Sequence, residues 1–510
     1  MMGTKARSFA PLCNRSLGEL VPADNFYRSL EVKLDLGFVR DLVRKTYKAG
    51  GRPSIDPRVF FKIQLVMFFE GLRSERELVR VAADRLSVRW YLGYDLDEEL
   101  PDHSSLTRIR QRYGLAAFRR FFEMIVEQCR AAGLVWGKEL YFDATQVDAN
   151  AALDSNRPRF AVEAHLTALF TDGGADEDNP EGGASPPIEL TVPITEVERE
   201  QLAHANEERH DWLACDGAPD RTILRGGYQR RSDFEASTTD TDAALMRRKQ
   251  GGLHFGYHDH YAVDGGKARI ILEVLVTPAD VMENLPFLDL LWRTCFRWQI
   301  RPDHVTGDAT YGTVASIVAI EDQAIRAYVP LSDVGKRPGF FGPEAFTYDA
   351  EHDVYTCQNG AVLRFRGNHY AARVRAYQAP ASACIACPLK EQCTDSQKGR
   401  IFTRSFDEDY LDRVRGYHDT AAYHKAMRKR SVWVEPLFGE AKDWHGLRRF
   451  RLRGLWKVNV EALLIATGQN LKRLLRKRGW GRRPWPNGTP EALALRQQMP
   501  ISLVFCPSIV

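Results

Sequence analysis

A mixed α/β sheet with helices on both faces, preceded by an all-α region and broken by insertions, is the fold class predicted by three features of this 510-residue sequence. The amino-terminal part carries helix caps and helical apolar spacing. KELYFDATQVDAN then switches to a strand pattern, and from HYAVD to AYVPL strand and helix patterns follow one another. With 44% hydrophobic and 27% charged residues the chain has material for a well-buried core, and its length suggests several domains.

From Asp24 to Leu134 the pattern is helical. Asp56-Pro57 pairs a capping acid with a proline whose missing N–H costs nothing in a first turn, and Val59, Phe60, Ile63, Val66 and Met67 follow as an apolar stripe. This predicts a buried helix closed by Gly71. Ser74 and Glu77 make a capping-box pattern for the next helix, and a third is expected from Ser104 or Ser105, carrying Arg108, Arg110 and Arg112. Short helices joined by tight turns fit two arrangements, a helix-turn-helix-like DNA reader and a bundle that only packs.

Residues 138–150 and 229–331 are read as two pieces of one sheet domain, separated by an insertion at 151–228. The insertion contains the acidic, Gly- and Pro-rich TDGGADEDNPEGGASPP, expected to be a flexible loop, and a helix start at Thr195 and Glu198. HYAVD and ARIILEVLV, joined at Gly265-Gly266, read as a hairpin. A helix over ENLPFLDLLWRTCFRW, a strand ending in HVTGD, a helix from Val314 and the short strand AYVPL complete the domain. Over 332–404 both periodicities are lost, so a cysteine-rich insertion without regular pattern is expected there. Residues 405–475 return to helix, and 476–510 read as a basic tail.

The net charge of +4 says little by itself, because polyanion binding depends on where charge sits. Its distribution is more telling: from Lys425 to Arg483 there are 17 Lys or Arg against four acids. Trp433, Trp444, Phe450, Trp456, Trp480 and Trp485 are interleaved with these cations, which suits nucleic acid better than a plain solvated face. No apolar run reaches the roughly 18 residues that a membrane-spanning helix needs, and the start shows no secretory pattern. A cytoplasmic protein without a membrane partner is expected.

Three acids stand in apolar surroundings. Asp143 follows Tyr141 and Phe142 on what should be a central strand, Asp308 follows a strand at its carboxyl end, and Glu435 lies in a helix among Val434, Leu437 and Phe438. Isolated charges avoid such positions unless paired or metal-bound, and magnesium needs only two or three convergent carboxylates. Lys442, two turns beyond Glu435 along one helix face, is placed to contact a phosphate. Arg448, Arg449, Arg451 and Arg453 follow at once.

The strand with Asp143, VTGDATYG around Asp308, and VEPLFGEAK followed by GLRRFRLRG and QNLKRLL resemble the DDE transposases of bacterial insertion sequences. GRPSIDPRVFFKIQLVMFFEGLRSERELVR and DHSSLTRIRQRYG are similar to the helical domain that precedes the catalytic domain in many of them. The resemblance implies an RNase-H-like catalytic fold and two divalent ions, Mg2+ or Mn2+, on Asp143, Asp308 and Glu435. It further implies DNA strand cleavage and strand transfer at terminal inverted repeats and a target, and by analogy a homodimer on double-stranded DNA. The Glu435-to-Lys442 spacing matches the family signature. The signature arginine does not, since Ser431 occupies its place, with Arg428 and Arg430 nearby.

Cys357, Cys384, Cys387 and Cys393 cluster in sequence and could supply four thiolates to a structural zinc; four reduced thiols are the other reading. The remaining cysteines are scattered. His254, His258 and His260 beside Asp259 are read as hydrogen-bonded strand residues. A catalytically silent DNA-binding derivative of a transposase stands as the alternative function.

Overall fold

The computed structural model describes residues 16–47, 54–158, 235–247, 251–331 and 339–479. The expectations for the acidic tract, the helix start at Thr195, Trp480, Trp485 and the tail beyond Gly479 lie outside these residues, while Arg476, Lys477 and Arg478 of that tail end the last helix. The chain divides into two units, one of residues 1–136, 144–282 and 434–510, the other of 137–143 and 283–433.

In the first unit the helical region is built as its caps dictate. Asp56 Oδ1 accepts from the Arg58 N–H at 2.8 Å and opens the helix Pro57–Glu70, which Gly71 closes in the left-handed conformation with φ 67°. Ser74 Oγ accepts from the Glu77 N–H at 3.4 Å to start Glu75–Asp84. Helix Leu86–Leu92 follows, and then His103–Ala131, which begins slightly ahead of the expected serines because Asp102 takes the capping position and accepts from the Ser104 N–H. Phe60, Phe61, Phe118 and Phe121 are fully buried between these helices.

Strand β1 (Glu139–Asp148) contributes its later residues to this unit. Two short strands, β2 (Asn156–Pro158) and β3 (Glu235–Ser237), pair antiparallel. Strand β4 (Ala244–Arg247), absent from the sequence reading, pairs antiparallel with β5 (Leu253–Asp264). The expected hairpin is present, β5 pairing antiparallel with β6 (Ile271–Pro278) so that Asp259 faces Val276. Every residue of β6 is buried.

The last helix of this unit, Leu455–Arg478, finishes the edge of β6 with side-chain amides. Asn459 accepts from Val276 N–H at 2.8 Å and donates to Val276 O at 3.0 Å; Asn470 does the same to Ile271 at 2.9 and 2.8 Å. The two asparagines are three helical turns apart, so they fall on one face, and each satisfies strand groups that would otherwise be buried without partners. Gly468 between them leaves room for the Phe68 ring, into which an added Cβ would run.

In the second unit, Glu139, Leu140 and Tyr141 of β1 pair in parallel with β7 (His304–Thr306), and β7 pairs in parallel with β8 (Arg326–Tyr328). Helices Phe287–Trp298 and Val314–Glu321 occupy the predicted places. Apart from β2, β3 and β4, which the sequence reading lacks, the order of strands and helices is as the sequence indicates, and so is the mixed α/β class with a helical amino-terminal region.

The expectation for 332–404 is overturned. Strands β9 (Phe346–Asp349), β10 (Val354–Cys357), β11 (Val362–His369), β12 (Val374–Gln378) and β13 (Ile401–Ser405) form a five-stranded antiparallel sheet in chain order. Its strands carry little apolar alternation because most of the sheet faces water. In β11 only Leu363 is buried, while Arg364, Phe365 and Arg366 are exposed. The small core consists of Ala345, Phe346, Tyr355, Leu363, Tyr377, Ala379 and Cys384. Asp353, Gly360 and Arg373, all at positive φ, turn the hairpins. Helices Glu408–His418 and Ala421–Trp433 complete the unit. No helix among the described residues is long and apolar enough to cross a membrane.

Candidate functional site

Within the second unit, the parallel register of β1 and β7 positions two of the three expected acids. Tyr141 lies opposite Thr306, so Asp143 and Asp308 each follow the paired residues by two positions, Asp143 still on β1 and Asp308 past the end of β7. Asp308 Oδ1 accepts from the Thr310 N–H at 2.9 Å, capping the turn Ala309–Tyr311. Burial, then the charges of Asp308 and Asp143, push the Glu283 carboxyl up to about 7. Tyr311, buried against Phe287, is raised well above the usual phenol range by its burial and then by Asp143, Glu283 and Asp308. Both aspartates thus stand close enough to Glu283 to oppose its ionisation.

The charge is partly answered by helix Ala421–Trp433. Arg430 Nη1 lies 3.1 Å from Asp143 Oδ2, the two side chains being 17% and 13% exposed, and Arg430 Nε is buried without a hydrogen-bond partner. One turn of the same helix also pairs Lys429 with Glu139 and lays its ammonium over Tyr141 and Trp433. Arg430 stands one residue before Ser431, the place at which the signature arginine is missing. Arg428 points to solvent. Glu283 was missed because ENLPFLDLL reads as one amphipathic helix; the helix begins only at Phe287, leaving Glu283 in the segment before it.

In the first unit Glu435 opens the helix Glu435–Trp444, exposed at its first turn, where a negative charge is favoured by the helix dipole. It is not in apolar surroundings as expected, because Leu437, Phe438 and Ala441 turn to the buried side. Lys442 Nζ donates to Thr145 Oγ1 at 2.6 Å, and its charge also acts on the buried Asp259. Thr145 is two residues beyond Asp143 along β1.

The arginine-rich loop is tied to the end of β1. Asp148 N–H donates to Arg448 O at 3.1 Å and Phe450 N–H returns to Asp148 O at 2.9 Å. Arg449 Nε and Arg453 Nε donate to the backbone carbonyls of Ala149 and Asn150, at 3.1 and 3.0 Å. Arg448 pairs with Asp443 in solvent, and Arg451 lies 3.4 Å from Glu75. In the amino-terminal helices, Arg108 is exposed and Arg112 lies over the Tyr47 ring. Arg110, read from the sequence as one of the studding cations, is instead buried and paired with Glu75.

The four cysteines are brought together in the second unit. Cys357 ends β10, Cys384 lies in the turn of helix Ala381–Ile385, Cys387 follows it, and Cys393 ends Lys390–Cys393; all four line one cavity. The Arg400 N–H points at Cys384 Sγ at 3.4 Å. Burial, and more weakly the other three thiols, push the Cys393 thiol up. Among the described residues no three His, Cys, Asp or Glu side chains are already set to hold a metal ion. His258 and His260 are buried, bonded to Val281 O and Thr277 Oγ1, in line with their reading as hydrogen-bonded strand residues.

Two comparisons bear on this arrangement. Residues 15–112 match the family model described as Transposase domain (DUF772), and residues 356–475 match the one described as Transposase DDE domain. No curated protein and no solved structure matches the chain.

Proposed function

We propose that this chain, which its two matches support as a DDE transposase of an insertion sequence, binds the element's terminal inverted repeats and catalyses DNA strand cleavage and strand transfer. Transposase domains imply DNA as partner, and DDE transposases in general use divalent metals. In this reading Asp143, Asp308 and Glu435 hold Mg2+ or Mn2+, and the mixed sheet is RNase-H-like. The donor chemistry fits a hard cation: these are oxygen ligands, and the negative charge that Asp308 and Asp143 place on Glu283 would be relieved by a cation. When bound, the metal ions activate the attacking oxygen and steady the leaving one.

The chain's own residues do the rest. Arg430 holds Asp143 in place through its ion pair and keeps an unpartnered Nε for a phosphate oxygen. Lys442 is the second phosphate contact. Arg108, Arg112, Arg428, Arg448, Arg449, Arg451 and Arg453 supply backbone contacts that set position rather than sequence. The chain acts as a homodimer on DNA, because two element ends must be joined.

The observation that carries the proposal is that Asp143 on β1 and Asp308, two residues past the end of the adjoining parallel strand β7, both act on the Glu283 carboxyl. Purified protein with Mg2+ or Mn2+ is expected to nick DNA bearing the matching terminal sequences, and Asp143→Asn and Glu435→Gln each to abolish nicking while binding persists. Undiminished cleavage by Asp143→Asn would sink the site assignment. Wild type that binds but never cuts would favour a silent DNA-binding derivative.

For the cysteines the proposed occupant is a structural zinc held by Cys357, Cys384, Cys387 and Cys393. Their meeting at one cavity under a small sheet supports it, since a core this slight is commonly stapled by a metal.

A further inference from the structure

A cleft of about 340 Å3 in the first unit is lined by Arg110, Asn150, Arg451, Arg453, Trp456 and Lys457. Four cations converge here, and few acids face them. Glu75 is shared by Arg110 and Arg451. Glu461 is occupied by the backbone N–H groups of Arg451 and Leu452, at 3.0 to 3.1 Å. Asp240 and Asp242 accept from the N–H groups of Gly454 and Leu455, although Asp240 also feels the charge of Arg453. Among the described residues neither Arg453 nor Lys457 has an ion-pair partner.

Two further features point to a ligand. Arg110 is only 3% exposed, yet its Nε has no hydrogen-bond partner, a costly condition for a buried guanidinium N–H unless something else completes it. Trp456 stands half-buried in the cleft with the Lys457 ammonium 5.5 Å from its ring centre, which combines a flat apolar surface with positive charge. The wall is also held ready, because Asn150 Nδ2 donates to Arg451 O at 2.8 Å and Arg453 is bound to Asn150 O.

We propose that this cleft seats one unstacked nucleotide of a DNA strand, its phosphate among Arg110, Arg451 and Arg453 and its base against the Trp456 ring. The assignment rests on the reading of the chain as a DNA-processing protein and adds to it a specific station for single-stranded DNA. A phosphate alone would need the cations but not the ring; a duplex backbone would not enter a cleft of this size. Stacking on an aromatic side chain accepts any base, so the station selects unpaired structure rather than sequence.

The test uses the full chain without added metal and two probes, a blunt duplex and the same duplex with a short single-stranded extension, in a fluorescence-anisotropy titration. Wild type should prefer the extended probe by roughly five- to tenfold, the low end of one base–aromatic stack. Trp456→Leu should lose that preference and keep its affinity for the blunt duplex, Trp456→Phe should retain most of it, and Arg453→Ala should weaken binding of the extended probe at low salt. Equal affinities of wild type for the two probes, or a preference unchanged in Trp456→Leu, would overturn the proposal. Because no cleavage is read, failure of the catalytic assignment leaves this outcome untouched.

Discussion

The β5–β6 hairpin of the first unit and the β9–β13 sheet of the second are both antiparallel and both made of hairpins, yet they are held by different forces. All of β6 is buried, and a helix finishes its edge through Asn459 and Asn470. The β11 strand is almost entirely exposed, and its sheet closes over a few aromatics and four thiols. The first sheet draws its stability from apolar burial, which grows with area. The second has too little area for that; it is held by cross-strand aromatic contacts, and the proposed zinc would add a junction at its cysteines.

The largest effect should come from removing that junction. Structural zinc in small domains is worth on the order of 10 kcal/mol, so chelation should deprotect the amides of 346–405 in hydrogen exchange and leave β5 and β6 protected. Metal analysis should find zinc in wild type and none in Cys384→Ser/Cys387→Ser. Equal zinc in the two proteins, or a zinc-free wild type with its strands protected, would remove the distinction.

A cavity in the apolar sheet comes next. Leu272 is fully buried. Leu272→Ala should cost about 3 kcal/mol in denaturant unfolding. Asn470→Ala, which strands the N–H and C=O of Ile271, should cost roughly 2 kcal/mol, and Asn470→Asp should not restore it because a carboxylate cannot donate to Ile271 O. A loss under about 0.5 kcal/mol for Asn470→Ala would mean that water replaces the amide.

Over a single pH unit the smallest effect is a pH dependence confined to the buried sheet. Burial, with some help from His258, pushes His260 down to about 3. A depressed histidine is neutral in the folded state, so its contribution is intact above the ordinary pKa of about 6.5 and is lost as pH falls from there toward 3. The slope is at most about 1.4 kcal/mol per pH unit. Asp259, raised well above the usual carboxylate range by burial, works in the opposite sense, so the informative quantity is wild type minus His260→Gln. Identical pH profiles for the two would show that His260 does not titrate across unfolding.

The same contrast explains what could be read early. Caps at Asp56 and Ser74 and the stop at Gly71 were legible because they depend on bonds within a few residues. The β5–β6 hairpin and the order of later elements were legible because burial imprints apolar runs. The β9–β13 sheet was not, because a strand that faces water on nearly all positions needs no apolar alternation. Arg110 looked like its neighbours Arg108 and Arg112, and only packing against Glu75 set it apart.

What the sequence by itself determined is which residue types were available: the acids Asp143, Asp308 and Glu435, the basic run after Glu435, and the four cysteines. Helix and strand boundaries around them followed from local hydrogen bonding and apolar spacing. Tertiary structure alone decided which charges meet. Asp143 on β1 and Asp308 past the end of β7 both act on Glu283 in the segment before Phe287, and helix Ala421–Trp433 pairs Arg430 with Asp143. Such pairings join residues far apart in the chain, and electrostatic energy depends on distance in space, which no local pattern records.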